Sequence, residues 1–407
     1  MDKINQESKM TIDHQKNKTS NSILISLFLS RFSTVTPSII AGLLLLDIGS
    51  TFNVNVGVMG QIQTVSSLSA VFAAVIIGVI SVKINDKTIL IWGLIFLTVS
   101  ALLSGFAFNF VLLLILYGLN GIGGSMVQPM TATLVTNLYP LEKRGGVMGW
   151  LMASLSIAYF VGAIVIGTVA TIFGWRYAFL GYSLPIFIIS LLLVLLVIPK
   201  PKKIEDDSGT QKNYLDGFRA IYRNRSASSS LIVVVFAGAS WQAILLYSAS
   251  YFRQRFLIST SLSSIMLLFA AVSFTVGAIM SGRIINKYGR KPISITAAIL
   301  AGSLTMIFTF FPNFYLSQLV VWMSSFFVGM RVTAFTSLEL EQVPEYRGTM
   351  MSIDTAFTSF GTALGSLIGG LAISLYGYEL MAGSLGVLHI IAAVLIYLFV
   401  TDPTKNM

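Results

Sequence analysis

Long runs of apolar residues constrain this chain more than any other feature. The segments 90–108 and 180–198 are each close to the roughly 20 residues that a helix needs to cross a bilayer. Lipid offers no hydrogen bonds, so a spanning segment must be an α-helix or part of a closed barrel. Barrel strands alternate apolar and polar residues, whereas these runs are continuous. We therefore predict an all-α integral membrane protein that lies in a lipid bilayer.

The composition agrees with burial in lipid. Hydrophobic residues make up 55% of the chain and charged residues only 10%, against about 25% charged residues in a soluble domain. The chain has no cysteine, which excludes disulfides and thiolate metal sites. Because it also lacks a phosphate-binding glycine-rich loop and any enzyme-like cluster of histidines or carboxylates, we expect no enzyme, no cofactor and no use of ATP.

Twelve spanning helices in two six-helix bundles are predicted from the apolar runs and the breaks between them. The helices are expected near 22–46, 57–82, 88–108, 110–138, 145–172, 176–198, 229–252, 262–285, 291–311, 313–340, 347–375 and 379–400. The predicted domains are a tail at 1–21, an N-terminal bundle at 22–198, a polar linker at 199–228, a C-terminal bundle at 229–400 and a tail at 401–407.

The placement of basic residues predicts the topology. Of the 26 lysines and arginines, only Arg176, Arg253 and Arg255 fall in odd-numbered loops, and Arg31 and Arg331 lie inside predicted helices. The other 21 lie in the tails and even-numbered loops. Basic residues accumulate in cytoplasmic loops, so both termini and the linker are predicted to be cytoplasmic in a multi-pass protein of the cell (inner) membrane. The net charge of +10 is explained by this placement of basic residues, so we expect no nucleic-acid partner.

An internal repeat relates the two predicted bundles. Gly78 and Lys83 recur 204 residues later as Gly282 and Lys287. Five further positions recur at an offset of 203, namely Arg144, Gly145, Gly162, Gly167 and Gly174 as Arg347, Gly348, Gly365, Gly370 and Gly377. Repeats of this length are typical of transporters built from two related halves, so the bundles are predicted to be pseudo-symmetric.

A glycine-rich basic loop follows the eighth predicted helix. It reads Gly282-Arg-Ile-Ile-Asn286-Lys287-Tyr-Gly289-Arg290-Lys291 and resembles the cytoplasmic signature loop of the major facilitator superfamily, with Asn286 in place of the acid. The first-half copy keeps the leading glycine and Lys83 but has valine at the acidic position. The resemblance implies a gating and topology element, so we assign these residues to coupling or gating and not to substrate binding.

Two further segments resemble the twelve-helix drug:proton antiporter group of that superfamily. They are Pro140-Leu-Glu142-Lys-Arg144-Gly145 and Gly174-Trp175-Arg176-Tyr-Ala-Phe179. This resemblance implies alternating access and proton-linked efflux of a small amphipathic compound or metabolite. It also implies that helices one, four, seven and ten surround a central cavity.

Ionisable residues inside the predicted helices are candidate functional residues, because an unpaired charge in hydrocarbon costs several kcal/mol. Arg31 and Arg331 lie at similar predicted depths and either face the solute, pair with Asp354 or reach towards the cytoplasm. Asp354 and Glu339 are the acids available for proton coupling, although Asp354 is interpreted rather as a lock near the signature loop.

Uncharged polar side chains complete the predicted substrate site. They are Thr34 on helix one, Asn120 and Gln128 on helix four, and Trp241, Gln242 and Tyr247 on helix seven. Helix packing explains any one of them equally well. Besides the proton-linked exporter, two hypotheses stay open: an organic-anion carrier that uses Arg31 and Arg331, and a transporter-like sensor without turnover. The expected partners are a small-molecule substrate and protons, and the protein is expected to be a monomer.

Overall fold

The computed structural model describes residues 21–80, 84–199 and 209–403. Within these ranges twelve helices are long and apolar enough to cross a membrane, which confirms the predicted fold class. We number them α1 Asn21–Phe52, α2 Val56–Ile77, α3 Asp86–Gly105, α4 Phe110–Leu138, α5 Glu142–Phe173, α6 Trp175–Val197, α7 Arg225–Phe256, α8 Thr260–Tyr288, α9 Arg290–Phe310, α10 Phe314–Glu339, α11 Pro344–Tyr376 and α12 Tyr378–Phe399.

Local chemistry sets the helix ends. Asn109 and Asn313 accept hydrogen bonds from backbone amides of the first turns of α4 and α10, as side-chain caps do. Gly174 and Gly377 have φ of 91° and 89° and separate α5 from α6 and α11 from α12. Only glycine adopts this conformation without strain, so the same turn occurs at equivalent places in both halves.

Equivalent lysines also mark the pseudo-symmetry of the two bundles, α1–α6 and α7–α12. The Lys87 ammonium group donates to the Leu195 carbonyl (3.1 Å), and Lys291, 204 residues later, donates to the Tyr397 carbonyl (3.0 Å). Each lysine joins the start of the third helix of its bundle to the end of the sixth. The repeat detected in the sequence therefore corresponds to repeated contacts in the structure.

The segment predicted as a polar linker contains a helix at Gly209–Arg223, which we call the linker helix. Ile221 is buried with Met350 of α11, and Gly217 lies close to the Thr349 side chain. The Asn224 side chain caps the start of α7, so α7 begins at Arg225 and not at the predicted position 229. The linker helix thus packs on the C-terminal bundle.

The two bundles meet at one end of the molecule. We call the end with the loops after α1, α3, α5, α7, α9 and α11 the odd-loop end, and the opposite end the even-loop end. Arg253 of α7 forms a salt bridge with Asp47 of α1, and the Thr64 hydroxyl lies 2.8 Å from that of Ser366. Backbones also approach closely there, since a Cβ on Gly57 of α2 would lie 2.3 Å from the Gly370 carbonyl oxygen of α11. We call this set of contacts the seam.

Candidate functional site

Helix α1 is broken near its middle. It turns at 34–35 and resumes as Thr36–Phe52. Pro37 explains the break, because proline has no N–H to continue the helical hydrogen bonds. The hydroxyls of Ser33 and Thr34 donate to the backbone carbonyls of Ser30 and Arg31 (2.7 and 2.8 Å). Broken helices at membrane depth are tolerated where they line a cavity or are covered by protein.

Arg31 lies one turn before this break. It is 7% exposed, and among the residues that the structure describes it has no hydrogen-bond or salt-bridge partner. Its Nε atom is fully buried without a partner, whereas its terminal nitrogens, which have no partner either, retain access to open space. The charge of Arg31 is therefore available to a molecule that reaches this point.

A cleft lies between the bundles next to the seam. It is narrow, with room for about one water molecule. Its lining residues come from α1, α2, α5, α7 and α8, namely Ser38, Ile39, Gln63, Tyr159, Gln242, Leu245, Leu246 and Leu267. Amide, hydroxyl, aromatic and aliphatic groups are thus combined in one site, as in binding sites for amphipathic molecules. Of the residues predicted on helix seven, Gln242 lines this cleft.

A second polar cluster lies inside the C-terminal bundle. Arg331 of α10, which is buried, interacts electrostatically with Glu339 and Asp354. The buried Glu339 Oε1 accepts no hydrogen bond from a nitrogen or hydroxyl donor. The carboxyl groups of Glu339 and Asp354 are also close enough to interact with each other. A hydrogen bond between them would need a proton on one of them, because two carboxylates offer only acceptors.

The neighbourhood of this cluster is polar and buried. His389 of α12 lies within electrostatic range of Arg331, and its Nδ1 atom makes a short hydrogen bond with the Ser240 hydroxyl of α7. The nitrogens Arg331 Nε and His389 Nε2 are both buried without a partner. The cluster therefore connects four helices of one bundle.

The remaining predicted substrate residues lie in different surroundings. Asn120 faces a small cavity inside the N-terminal bundle, between α1, α3, α4 and α6. Trp241 stacks on Phe274 of α8, with ring centroids 5.5 Å apart. Tyr247 is fully buried in the seam and donates to the Ser366 carbonyl at 2.7 Å. Gln128 is half-buried on α4, so the structure brings Gln242, but not the whole predicted set, to the cleft.

The signature loop lies at the even-loop end. Gly289 has φ 85° and separates α8 from α9, while Gly282, Asn286 and Lys287 are exposed. Arg290 lies 3.9 Å from Glu341, which also accepts two 2.9 Å hydrogen bonds from Arg347. Glu341 is thus an acid beside this loop. Lys83 lies outside the described residues.

Comparisons with known proteins agree with this architecture. The sequence profile of the Major Facilitator Superfamily matches residues 23–339 and 258–407. The chain belongs to this superfamily. It is also similar to a curated protein of Bacillus subtilis (strain 168), the uncharacterized MFS-type transporter YceJ, with 24% identity over 324 residues that cover 78% of this chain and 81% of YceJ. Family and relative are transporters, so the chain is a multi-pass secondary transporter of the superfamily.

Solved structures of the superfamily share the fold. The D-xylose-proton symporter superposes with a TM-score of 0.79 at 15% identity, covering 95% of this chain and 99% of that one. A point mutant of the nucleoside transporter NupG superposes with a TM-score of 0.73 at 16% identity, covering 92% of this chain and 99% of that one. A bacterial homolog of the human lysosomal transporter Spinster, in an inward-facing and unoccupied conformation, superposes with a TM-score of 0.72 at 15% identity. This match covers 93% of this chain and 95% of that one.

Several residues of the cleft and of the seam were not predicted from the sequence. Gln63 and Tyr159 line the cleft, but helices two and five were not expected at the cavity, and single polar residues in apolar runs carry no direction. Arg253 was counted only as a charge of an odd-numbered loop, and Asp47 was not singled out. Their partnership depends on two helices that are about 200 residues apart in sequence.

Proposed function

We propose that this chain is a proton-linked transporter working by alternating access, and that Glu339 and Asp354 hold the proton. The observation that carries the proposal is the pair of facing carboxyl groups beside Arg331. Two carboxylates and one guanidinium leave one negative charge without compensation, which is costly inside a membrane. One proton removes this charge and also supplies the O–H that joins the two carboxyl groups.

Alternating access is supported by the position of the seam. The contacts between the bundles described above all lie in the part of each helix nearer the odd-loop end, and the cleft begins directly beneath them. If the even-loop end is cytoplasmic, as the basic residues predict, this conformation is closed to the outside. Rocking of one bundle against the other would open the seam and expose the cleft to the opposite face.

Export of a small amphipathic solute is supported by the segments that resemble the drug:proton antiporter group. Proton coupling on this fold also has a precedent in the D-xylose-proton symporter, as its name states. The mixed lining of the cleft suits a small molecule with one polar and one apolar part. A carrier of this type binds solute and proton in the same transport cycle.

The test uses purified protein in liposomes that contain a pH-sensitive dye. Solutes that raise the unfolding temperature are chosen from D-xylose, uridine, ethidium and benzoate, and their movement down a gradient is expected to move protons. Glu339→Gln and Asp354→Asn should abolish the proton movement, because each leaves one acid to balance Arg331, while exchange of labelled solute continues.

Glu345→Gln is the matched control, because Glu345 is an exposed acid at the start of α11 that forms no salt bridge among the described residues. It is expected to couple protons normally. Full pH-driven transport in both Glu339→Gln and Asp354→Asn would remove the proposed proton site. Binding without any flux in the unmodified protein would instead identify a sensor.

A further inference from the structure

We infer that Arg31 is the recognition group for an organic carboxylate that binds beside the break in α1. This inference rests on the proposed transport function and names the class of its substrate. The first argument is charge. The described residues form three salt bridges, Arg253–Asp47, Arg290–Glu341 and Arg347–Glu341, and none includes Arg31. A buried guanidinium without a counter-charge is costly, so an anion from outside the chain would be bound strongly.

The local structure offers Arg31 no internal substitute for that anion. The neighbouring hydroxyls of Ser30, Ser33 and Thr34 each donate to a backbone carbonyl of α1. Their protons are therefore committed, and they do not compensate a charge. Arg31 Nε is buried while the two terminal nitrogens of the guanidinium remain accessible, so these two nitrogens are free to bind a ligand.

Arg31 lies on the even-loop side of the cleft. It precedes Ser38, which lines the cleft, by seven residues of α1, and the break at 34–35 lies between them. Because α1 begins at the even-loop end, a solute entering from that end would pass the level of Arg31 before it reaches the polar groups beneath the seam.

Arg331 lies in a different electrostatic environment although its depth is similar. Glu339 and Asp354 lie within electrostatic range of its charge, although neither forms a salt bridge with it among the described residues. The two arginines that look equivalent in the sequence therefore have separate roles in the structure. An anion gains more from Arg31, which has no competing carboxylate, than from Arg331.

The cleft lining indicates the rest of the ligand. A guanidinium binds a carboxylate through two parallel hydrogen bonds. Beyond it, the amides of Gln63 and Gln242 can bind a polar substituent, and Leu245 and Leu267 can contact an apolar body. The cleft is narrow in this conformation, so a small organic acid with an aromatic or branched aliphatic body would enter it as the bundles move apart.

The test compares carboxylates with their neutral amides on the purified full-length protein. Acetate, isovalerate and benzoate, and the three corresponding amides, are titrated while thermal unfolding is followed. We expect at least one acid to stabilise the protein more than its amide does. Arg31→Gln should weaken binding of that acid by about 10- to 100-fold. Arg31→Lys keeps the charge but cannot form the two parallel hydrogen bonds, so it should give an intermediate loss of affinity for the acid. It also provides a second test if the glutamine variant does not fold.

Two outcomes would overturn the inference: no preference for any acid over its amide, or an unchanged dissociation constant for the preferred acid in Arg31→Lys and Arg31→Gln. Glu339→Gln separates this result from the proposed proton coupling. It should bind the acid with unchanged preference over the amide even though it no longer couples protons. Loss of acid binding in Arg31→Gln, with proton coupling retained in both Glu339→Gln and Asp354→Asn, would support Arg31 and reject the proton site.

Discussion

Neutralising Arg253 is expected to open the seam. Its Nη1 and Nη2 atoms lie 2.5 and 2.8 Å from the two carboxylate oxygens of Asp47, and Nη1 also donates to the Leu43 carbonyl. The two side chains are only 14% and 31% exposed, so water screens the pair incompletely. Because the salt bridge joins α1 to α7 across the bundles, it stabilises only conformations in which the odd-loop end is closed.

The size of the effect follows from this geometry. Exposed ion pairs contribute about 0.2–1 kcal/mol, and removal of one partner of a fully buried pair costs about 3–5 kcal/mol. A bidentate pair of intermediate burial lies between these limits, at roughly 1.5 kcal/mol. Arg253→Gln should therefore raise the population open at the odd-loop end about tenfold relative to the closed population.

The absence of cysteine from the chain makes the measurement direct. A cysteine is introduced at Ser264 of α8, which is 2% exposed and packs against Gly167 of α5 near the odd-loop end. The rate at which this cysteine reacts with a maleimide is followed. The rate should rise about tenfold in Arg253→Gln, in proportion to the open population.

Arg255→Gln is the matched control, because Arg255 is exposed and has no salt bridge among the described residues. It should leave the rate unchanged, and the charge-swapped double variant Asp47→Arg/Arg253→Asp should recover part of the closed population. Equal rates, within a factor of two, in the unmodified protein and Arg253→Gln would refute the reasoning.

Two further predictions concern topology and packing. A cysteine at Asp207 should react with an impermeant maleimide only after cells are permeabilised, because the linker is predicted to be cytoplasmic; labelling in intact cells would contradict this. Gly329→Ala should destabilise the protein by about 1–3 kcal/mol, since a Cβ there would lie 2.0 Å from the Phe274 carbonyl oxygen. Gly383→Ala, where the same atom meets open space, is the control, and similar unfolding temperatures for the two variants would reject the packing argument.

The helices could be predicted from the sequence because hydrophobicity decides them locally. Each spanning segment needs about 20 apolar residues whatever its neighbours are, and the repeat adds the division into two bundles. The linker helix was missed for the same reason: Gly209–Arg223 is polar, and its docking on α11 depends on residues more than a hundred positions away.

The candidate site was predictable only in part. Depth along a helix identified Arg31 and Arg331 as unusual, but depth does not say which helix each one faces. The difference between them comes from Glu339 and Asp354, which interact with Arg331 although Asp354 belongs to another helix, α11. Tyr247 shows the same limit, since an aromatic residue in an apolar helix can fill a seam as well as a binding cavity.

The docking of the linker helix has a mechanical consequence for transport. Because the linker helix packs on α7 and α11, it belongs to the C-terminal bundle and travels with it. Ten peptide steps from Pro199 to Gly209 then connect the C-terminal bundle to the end of α6. Ten steps span at most about 35 Å, which sets an upper limit on the distance between the linker helix and the end of α6 in any conformation.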